Sequence, residues 1–206
     1  MRRALVPAIQ AAIARYVYRS RQYVIFGDGL AGPPAVDRLE DIVFRLATPS
    51  DLEHLDELEP YHRGSRQRVY VEQDGDWLFV ACHGDRVVAT ARYGRVVRDA
   101  VLSRVVHLEP EQVWGADQFC LPGYRNRGIS RLLAIFANRF LAPLGYTEVL
   151  SSVDAANAAS IRMTLHKGCR ALCYVSHARC LRWERLHVSK DVPERLATYP
   201  TEPARG

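Results

Sequence analysis

The first half of the chain predicts short strands, because apolar and polar residues alternate in runs bounded by turn residues. Residues 42–48, IVFRLAT, have the pattern of a strand. The segment TPSDLEHLDELEP after it predicts a helix, with Ser50 as N-cap and Glu53 closing a capping box. Residues 77–94 hold two apolar runs on either side of HGDR, which predicts a β-hairpin. The folded domain is therefore expected to begin near residue 41.

The second half predicts the order strand, loop, helix, strand, helix, strand. Strands are predicted at residues 113–121, 147–154 and 171–186. The helix over residues 129–141 places its apolar residues on one face. A second helix follows Asn157 as N-cap and ends before Gly168. This order predicts a mixed α/β architecture built in layers.

Positive charge is concentrated at the N-terminus. The chain has a formal net charge of +5, and its first 26 residues contain five arginines and no acid. The remainder is close to neutral, which argues against a nucleic-acid-binding protein, whose folded body would carry a basic face. Apolar residues in this segment recur at helical spacing, so residues 1–26 are predicted to form a basic amphipathic helix. Such a helix packs on the domain or lies on an anionic membrane surface.

Four segments are expected along the chain. They are a basic N-terminal helix or extension at 1–26, a linker at 27–40, a folded domain at 41–188 and a loose tail at 189–206. No apolar run reaches the roughly 18 residues of a membrane span, and Pro7 interrupts the only stretch that resembles a signal peptide. Five cysteines without regular spacing do not suggest a disulfide framework. A cytoplasmic location follows, extended by peripheral contact with the inner face of the membrane if residues 1–26 bind it.

A run of histidines and cysteines near the C-terminus has the residue types of a metal site. Its members are His166, Cys169, Cys173, His177 and Cys180. They cross a helix end and strands instead of pairing across a turn, so no metal site is predicted. No serine or cysteine lies on a recognisable nucleophile turn either.

The stretch LPGYRNRGISRLLAIF, residues 121–136, predicts a strand end, a tight loop and the start of a helix. The first N–H groups of a helix have no partners within it, and the positive end of the helix dipole lies there. A phosphate group fits such a place. Gly128 would let the backbone approach the phosphate, and Arg125, Arg127 and Arg131 would surround it with positive charge.

These residues resemble the Q/R-x-x-G-x-G/A coenzyme A loop of the GNAT superfamily of N-acetyltransferases. The segment SSVDAANAASIRMTLHKGC resembles that family's next strand and helix, and VFRLATPSDLEHL its first strand and helix, so the resemblance covers roughly residues 42–186. Three positions depart from the family pattern. Ser130 stands where Gly or Ala is usual, Cys169 replaces an aromatic residue, and Thr164 stands where many members carry a tyrosine that protonates the thiolate.

The resemblance implies an α/β (α+β) fold with a mixed, mostly antiparallel sheet, whose splayed central strands are flanked by helices. It also implies that acetyl-CoA, or another acyl-CoA, is the co-substrate and that no metal takes part. The fourth family strand would offer the N–H groups of Phe119 and Leu121 to the pantetheine arm. The N–H groups of residues 126–130 would hold the pyrophosphate. The cofactor-binding set implied in this way is Phe119, Cys120, Leu121, Arg125, Asn126, Arg127, Gly128, Ile129, Ser130, Asn157 and Ser160.

The implied reaction is direct attack of an amine on the bound thioester. An ammonium with a pKa of roughly 10 must first lose a proton, and a carboxylate at the strand break is a suitable base. Asp117 is the candidate, with Glu111 as its substitute; a structural Asp at a bulge, or one that binds the ammonium, is the alternative. Tyr174 is an alternative acid for the leaving thiolate. The acceptor is expected to be a small amine or amino sugar. The competing interpretation is a non-catalytic CoA-binding regulator or partner-docking module with the same fold.

Overall fold

The computed structural model describes residues 18–30, 39, 41–51 and 75–197. The chain divides into two compact units, one made of residues 1–27 and 152–206 and the other of residues 28–151. Each unit has its own buried cluster.

Eight strands and three helices lie within the described residues. The strands are β1 (Tyr18–Gly29), β2 (Val43–Leu46), β3 (Asp76–His83), β4 (Arg86–Gly94), β5 (Gln112–Cys120), β6 (Glu148–Asp154), β7 (Arg170–Cys180) and β8 (Trp183–Ser189). The helices are α1 (Ile129–Leu141), α2 (Ala158–His166) and α3 (Glu194–Ala197). The short 3-10 turns are Leu102–Arg104, Pro122–Tyr124 and Ala142–Leu144.

In the unit of residues 28–151, strands β2 to β5 form antiparallel neighbours and β5 pairs in parallel with the start of β6. The predicted hairpin is confirmed: β3 and β4 pair around the turn at Gly84. Helix α1 has the predicted bounds, and it buries Ile129 and Leu133 in the same core cluster as Phe79 of β3. The mixed, mostly antiparallel α/β fold expected from the sequence is confirmed, with the apolar side of α1 packed on the sheet.

In the other unit, β7 pairs antiparallel with both β1 and β8. Helix α2 begins after Asn157, whose side chain accepts a hydrogen bond from the N–H of Ser160, and Gly168 follows its end with φ of 88°. Both predicted caps are therefore confirmed. A second buried cluster contains Val24 and Phe26 of β1 together with Ile161 of α2.

The prediction of a helix over residues 1–26 is wrong for its second part, because residues 18–29 form strand β1. The four residues YVIF at 23–26 are all buried, and a run of this kind suits a strand with both faces covered. The ladder with β7 includes the pair of Arg21 with His177. The folded part of the chain thus begins at residue 18 or earlier, not near residue 41. Residues 1–17, most of the predicted linker and residues 198–206 of the predicted tail lie outside the described residues. The prediction of a loose tail from residue 189 is wrong for Glu194–Ala197, which form helix α3 and bury Leu196.

An ion pair joins the partly exposed Arg45 of strand β2 to the buried carboxylate of Asp51. The guanidinium of Arg45 donates two hydrogen bonds to the carboxylate of Asp51, at 2.5 and 2.7 Å. The backbone N–H of Thr48 donates to the same carboxylate at 2.7 Å, which is the reciprocal bond of a capping box. The acid of this box is therefore Asp51, whereas Ser50 bonds through its hydroxyl to Thr48; the predicted partner Glu53 lies outside the described residues. Arg45 holds the pKa of Asp51 at about 2, below its usual 3.8.

We expect this pair to contribute its full stabilisation above about pH 4 and to lose it at lower pH. A carboxyl group whose pKa is lower in the folded state stabilises the fold when it is ionised in both states, and this contribution is lost as the pH falls from about 4 to about 2. Partial exposure of Arg45 reduces the contribution to about 1–2 kcal/mol. Urea unfolding at pH 6 and pH 3 should show that the free energy of unfolding falls less between these pH values in Asp51→Asn than in the parent protein. Asp85→Asn, in the exposed β3–β4 turn, is the matched control and should behave like the parent; an equal slope in all three proteins would contradict the assignment.

Candidate active site

Strand β5 carries a bulge at Asp117. The pairs of β4 with β5 change register between Thr90, opposite Phe119, and Arg92, opposite Ala116, so β5 has one residue more than β4 there. Asp117 lies in this extra length with φ of 49°, a left-handed conformation that non-glycine residues rarely adopt. A bulge of this kind redirects a side chain out of the regular ladder. The carboxylate of Asp117 is half-buried as a result.

A buried arginine fixes the direction of this carboxylate. The Nε–H of Arg92, on β4, donates to Oδ2 of Asp117 at 3.0 Å. Nη1 of Arg92 lies 3.5 Å from Oδ2 of Asp76, on β3, and Asp76 also accepts two hydrogen bonds from Arg98. The side chains of Arg92 and Asp76 are 4% and 3% exposed. Two cations and two anions thus form a neutral chain, in which the buried positive charge of Arg92 is balanced by nearby carboxylates.

Sequence reasoning identified Asp117 but missed Arg92, Asp76 and Arg98. One signal was available: Arg92 interrupts the apolar run of β4, which is buried from its second residue to its last. A charge in such a strand requires a buried partner. Its two partners come from β3 and β5, and their identity depends on the register of both strands.

We expect Gly94→Ala to disturb this chain of charges. Gly94 is paired with Asp76 across the β3–β4 ladder, and a Cβ at residue 94 would overlap the Asp76 carboxylate. Displacing that carboxylate leaves Arg92 and Arg98 short of a partner, which costs about 1–3 kcal/mol of unfolding free energy. Thermal and urea unfolding measure the loss. Gly29→Ala, in strand β1 with open space around it, is the control and should be close to neutral; equal stabilities would show that Asp76 can move freely.

The loop after β5 presents open backbone at the start of helix α1. Gly128 is the N-cap, with φ of 76°, and no side chain caps the helix among the described residues. A Cβ at Gly128 would meet nothing within 4 Å. Asn126 also has positive φ, at 61°, and such residues turn successive N–H groups toward one side, as in anion-binding nests. The predicted phosphate site therefore has the backbone geometry that it requires.

Side chains around this loop are held by local contacts. Nε–H of Arg125 donates to the carbonyl of Cys120 at 3.0 Å, and the guanidinium carbon of Arg127 lies 5.7 Å from the centre of the Tyr124 ring. The side-chain amide of Gln118 donates to the carbonyl of Ser130 at 2.8 Å, which ties β5 to α1. Burial raises the pKa of the Cys120 thiol, so this cysteine is not an activated nucleophile.

The backbone groups expected to meet the pantetheine arm need a correction. The N–H of Leu121 donates to the carbonyl of Val88 at 2.9 Å and is not open to a ligand. Phe119 lies two residues before Leu121 and pairs with Thr90. Its N–H also faces β4, because N–H groups alternate in direction along an antiparallel strand. The N–H of Cys120, between them, points away from β4. Of these three residues, Cys120 is therefore the one whose N–H does not face β4.

The other acid–base candidates lie elsewhere. Glu111 is exposed and precedes β5, six residues and roughly 20 Å of extended chain before Asp117. The structure therefore does not bring the two carboxylates together. Tyr174 lies on β7 in the other unit, where its ring packs against the cluster of Val24 and Ile161. Thr164, at the position of the usual tyrosine, is buried in α2.

Asn157 and Ser160 bond to each other at the start of α2, at 3.1 Å, so their predicted contact with a cofactor stays a prediction. The five cysteines are not joined in disulfide bonds. Within residues 18–30, 41–51 and 75–197, no group of three His, Cys, Asp or Glu side chains could hold a metal ion. None of the helices described is long and apolar enough to cross a membrane.

A bulged strand, a glycine loop and a helix with an open N-terminus form the strand–loop–helix arrangement of proteins that bind phosphorylated ligands. Residues 41–168 match the model of the acetyltransferase (GNAT) family. Because this match spans more than half of the chain, the protein belongs to the GNAT family of acetyltransferases. No curated protein gives a significant match.

Solved structures of GNAT acetyltransferases share the fold. A protein from Novosphingobium aromaticivorans assigned to this family has a TM-score of 0.56 and 18% identity, with 84% of this chain and 66% of that chain covered. The aminoglycoside N-acetyltransferase AAC(6')-Iy in complex with CoA has a TM-score of 0.51 and 20% identity, over 65% of this chain and 91% of that one. An aminoglycoside acetyltransferase from an uncultured soil metagenomic sample, in complex with sisomicin, has a TM-score of 0.50 and 16% identity, with 62% of this chain and 88% of that chain covered. This chain thus spans slightly less than two thirds of the first of these structures, and at such identities the likeness shows the fold alone.

Proposed function

We propose that this protein transfers an acetyl group, or another acyl group, from coenzyme A to a primary amine of a small molecule or amino sugar by direct attack. The observation that carries the proposal is the open backbone at Gly128, which follows a strand whose bulge presents an oriented carboxylate. This reaction requires a base beside the acceptor amine and a loop that binds the donor's phosphates, and here the loop directly follows the strand that carries the base.

The loop binds the acyl donor through backbone. The N–H groups of residues 126–130 hold the pyrophosphate, and Arg127 and Arg131, both exposed, add positive charge. The N–H of Cys120 pairs with the pantetheine arm along the free side of β5. Arg125 already bonds to the carbonyl of Cys120, so it supports the strand end beside the donor.

Asp117 removes the proton from the acceptor ammonium, directly or through water. Arg92 occupies Oδ2 of this carboxylate, so Oδ1 is the oxygen that accepts the proton. Arg92 is a positioning residue, because it acts only through Asp117. When Asp117 takes the proton, the chain of four charges gains one positive charge, and Asp76 remains as the ionised carboxylate beside Arg92. The thiolate of coenzyme A is a stable leaving group, and water supplies its proton, since Thr164 is buried and Tyr174 packs in a core.

A small polar amine is the proposed acceptor class. Two similar folds belong to aminoglycoside acetyltransferases, one of them seen with sisomicin, and these support an amino sugar. The near-neutral charge of residues 27–206 supports a small molecule over DNA or acidic protein. The cytoplasm, which contains acetyl-CoA, is the proposed location.

A panel of amines tests the proposal. Release of free coenzyme A thiol from acetyl-CoA, followed with a thiol reagent, should depend on the amine and on the enzyme. The competing function, a CoA-binding regulator, draws support from the burial of Thr164, where an acid is usual. Acetyl-CoA binding by calorimetry without thiol release for any amine would favour the regulator, whereas absence of binding would refute both.

A further inference from the structure

The tip of the β7–β8 hairpin, residues 179–185, exposes large apolar side chains. Strands β7 and β8 are joined by the two-residue turn Leu181–Arg182, with Cys180 paired to Trp183. Trp183 is 84% exposed and Leu181 is 60% exposed. A single exposed apolar residue is ordinary, but two large ones only two residues apart, one in the turn and one at the start of β8, form a local apolar surface.

The turn also keeps a strained backbone. Leu181 has φ of 52°, where glycine or asparagine is usual in a two-residue hairpin turn. A branched side chain in this conformation costs about 1–2 kcal/mol. Leu181 is thus both strained and exposed, and its side chain adds little to packing within the domain.

Basic side chains surround these two residues. Arg179, Arg182 and Arg185 are exposed, and the one acid of the hairpin tip is Glu184. The carboxylate of Glu184 accepts a hydrogen bond from Nε2 of the buried His177, at 2.7 Å. Trp183 and Arg185 lie on the same face of β8, because side chains alternate along a strand. The hairpin tip therefore presents an indole and a guanidinium side by side.

We propose that the hairpin tip is a docking surface for an anionic lipid bilayer. Tryptophan suits the membrane interface, where its ring is apolar and its N–H is hydrated. Arginines of the same tip would meet lipid phosphates and carboxylates, at about 1 kcal/mol for each basic residue near the surface. The two apolar side chains offer about 400 Å² at most, well below the roughly 800 Å² that each partner buries in a stable protein interface. Apolar and basic groups on a protruding turn thus fit a bilayer better than a second protein.

Binding to vesicles tests this surface in the full chain. With phosphatidylserine–phosphatidylcholine vesicles at low salt, we expect co-sedimentation and a blue shift of tryptophan emission. The shift reports mainly Trp183, since Trp114 is buried and Trp77 is partly buried. Arg182→Gln should lower the partition coefficient about fivefold, the equivalent of 1 kcal/mol. Trp183→Ala should abolish the shift, and high salt should weaken binding of the parent.

Matched variants test whether the hairpin tip, and not another charged region of the chain, binds the vesicles. Arg95→Gln, an exposed arginine of the other unit, removes the same charge and should leave sedimentation unchanged. The triple variant Arg2→Gln, Arg3→Gln, Arg15→Gln tests the N-terminal charge; if it abolishes sedimentation while the tip variants bind normally, the proposal is wrong. Equal binding to pure phosphatidylcholine would also overturn it. So would a dimer that Trp183→Ala dissociates in the absence of lipid, because the tip would then be a self-association surface.

Discussion

Replacing Asp117 by Asn is expected to lower the rate of acyl transfer about 100-fold or more at neutral pH. The amide keeps the shape and can still bond to Arg92, but it cannot take a proton from the acceptor ammonium. The rate should recover in part as the pH approaches the amine's own pKa of roughly 10, because free amine then forms without a base. Steady-state rates against pH, with acetyl-CoA binding measured separately, decide the result.

The separate values of KM and kcat also distinguish a base from a residue that only binds the ammonium. If Asp117 only binds the substrate cation, the variant should raise KM and leave kcat nearly unchanged. Glu111→Gln removes the same charge just before β5. It should keep a normal rate, because Glu111 lies six residues before the bulge at Asp117. Cys120→Ala should keep most of the activity, since direct attack needs no acyl-cysteine. A trapped acyl group on Cys120, or a normal rate for Asp117→Asn, would move the chemistry to another residue.

The structural elements that the sequence predicted well are those set by neighbours along the chain. The HGDR turn, the apolar face of helix α1 and the Asn157 cap each depend on spacing within a few residues. The Gly128 loop belongs to the same group, because a glycine before an amphipathic helix is a local signal. These features were sufficient to indicate the family, and they are the basis of the proposed phosphate site.

What escaped prediction depends on register between distant strands. Strand β1 looked helical because its arginines continue a basic amphipathic segment, and its partner β7 lies far along the chain. The bulge at Asp117 inserts one residue into β5 and so decides which N–H groups face β4. That insertion is invisible in sequence, and it explains why the sequence predicts the N–H groups of Phe119 and Leu121, which face β4, instead of the N–H of Cys120. Arg92 was missed for a related reason, since its acids come from strands on either side.

Replacing Gly128 by Val is expected to weaken acetyl-CoA binding at least 10-fold, or about 1.4 kcal/mol. The loop would bind the pyrophosphate through N–H groups, and a side chain at this position would stand between the backbone and the phosphate. The position is open in the protein, so the new side chain meets no protein atom that could exclude it. Its obstruction therefore falls on the ligand. Calorimetric titration with acetyl-CoA measures the loss.

Backbone strain must be separated from this obstruction, because φ of 76° is unfavourable for valine. Gly145→Val is the matched control: Gly145 has φ of 92°, open surroundings and a place after the far end of helix α1. It should lose comparable stability and bind acetyl-CoA normally. Gly128→Asn adds a side chain that tolerates left-handed backbone, as Asn126 already does in this loop, so it should weaken binding with little strain. Normal affinity in a folded Gly128→Val protein would mean that the helix start is not where the donor's phosphates bind.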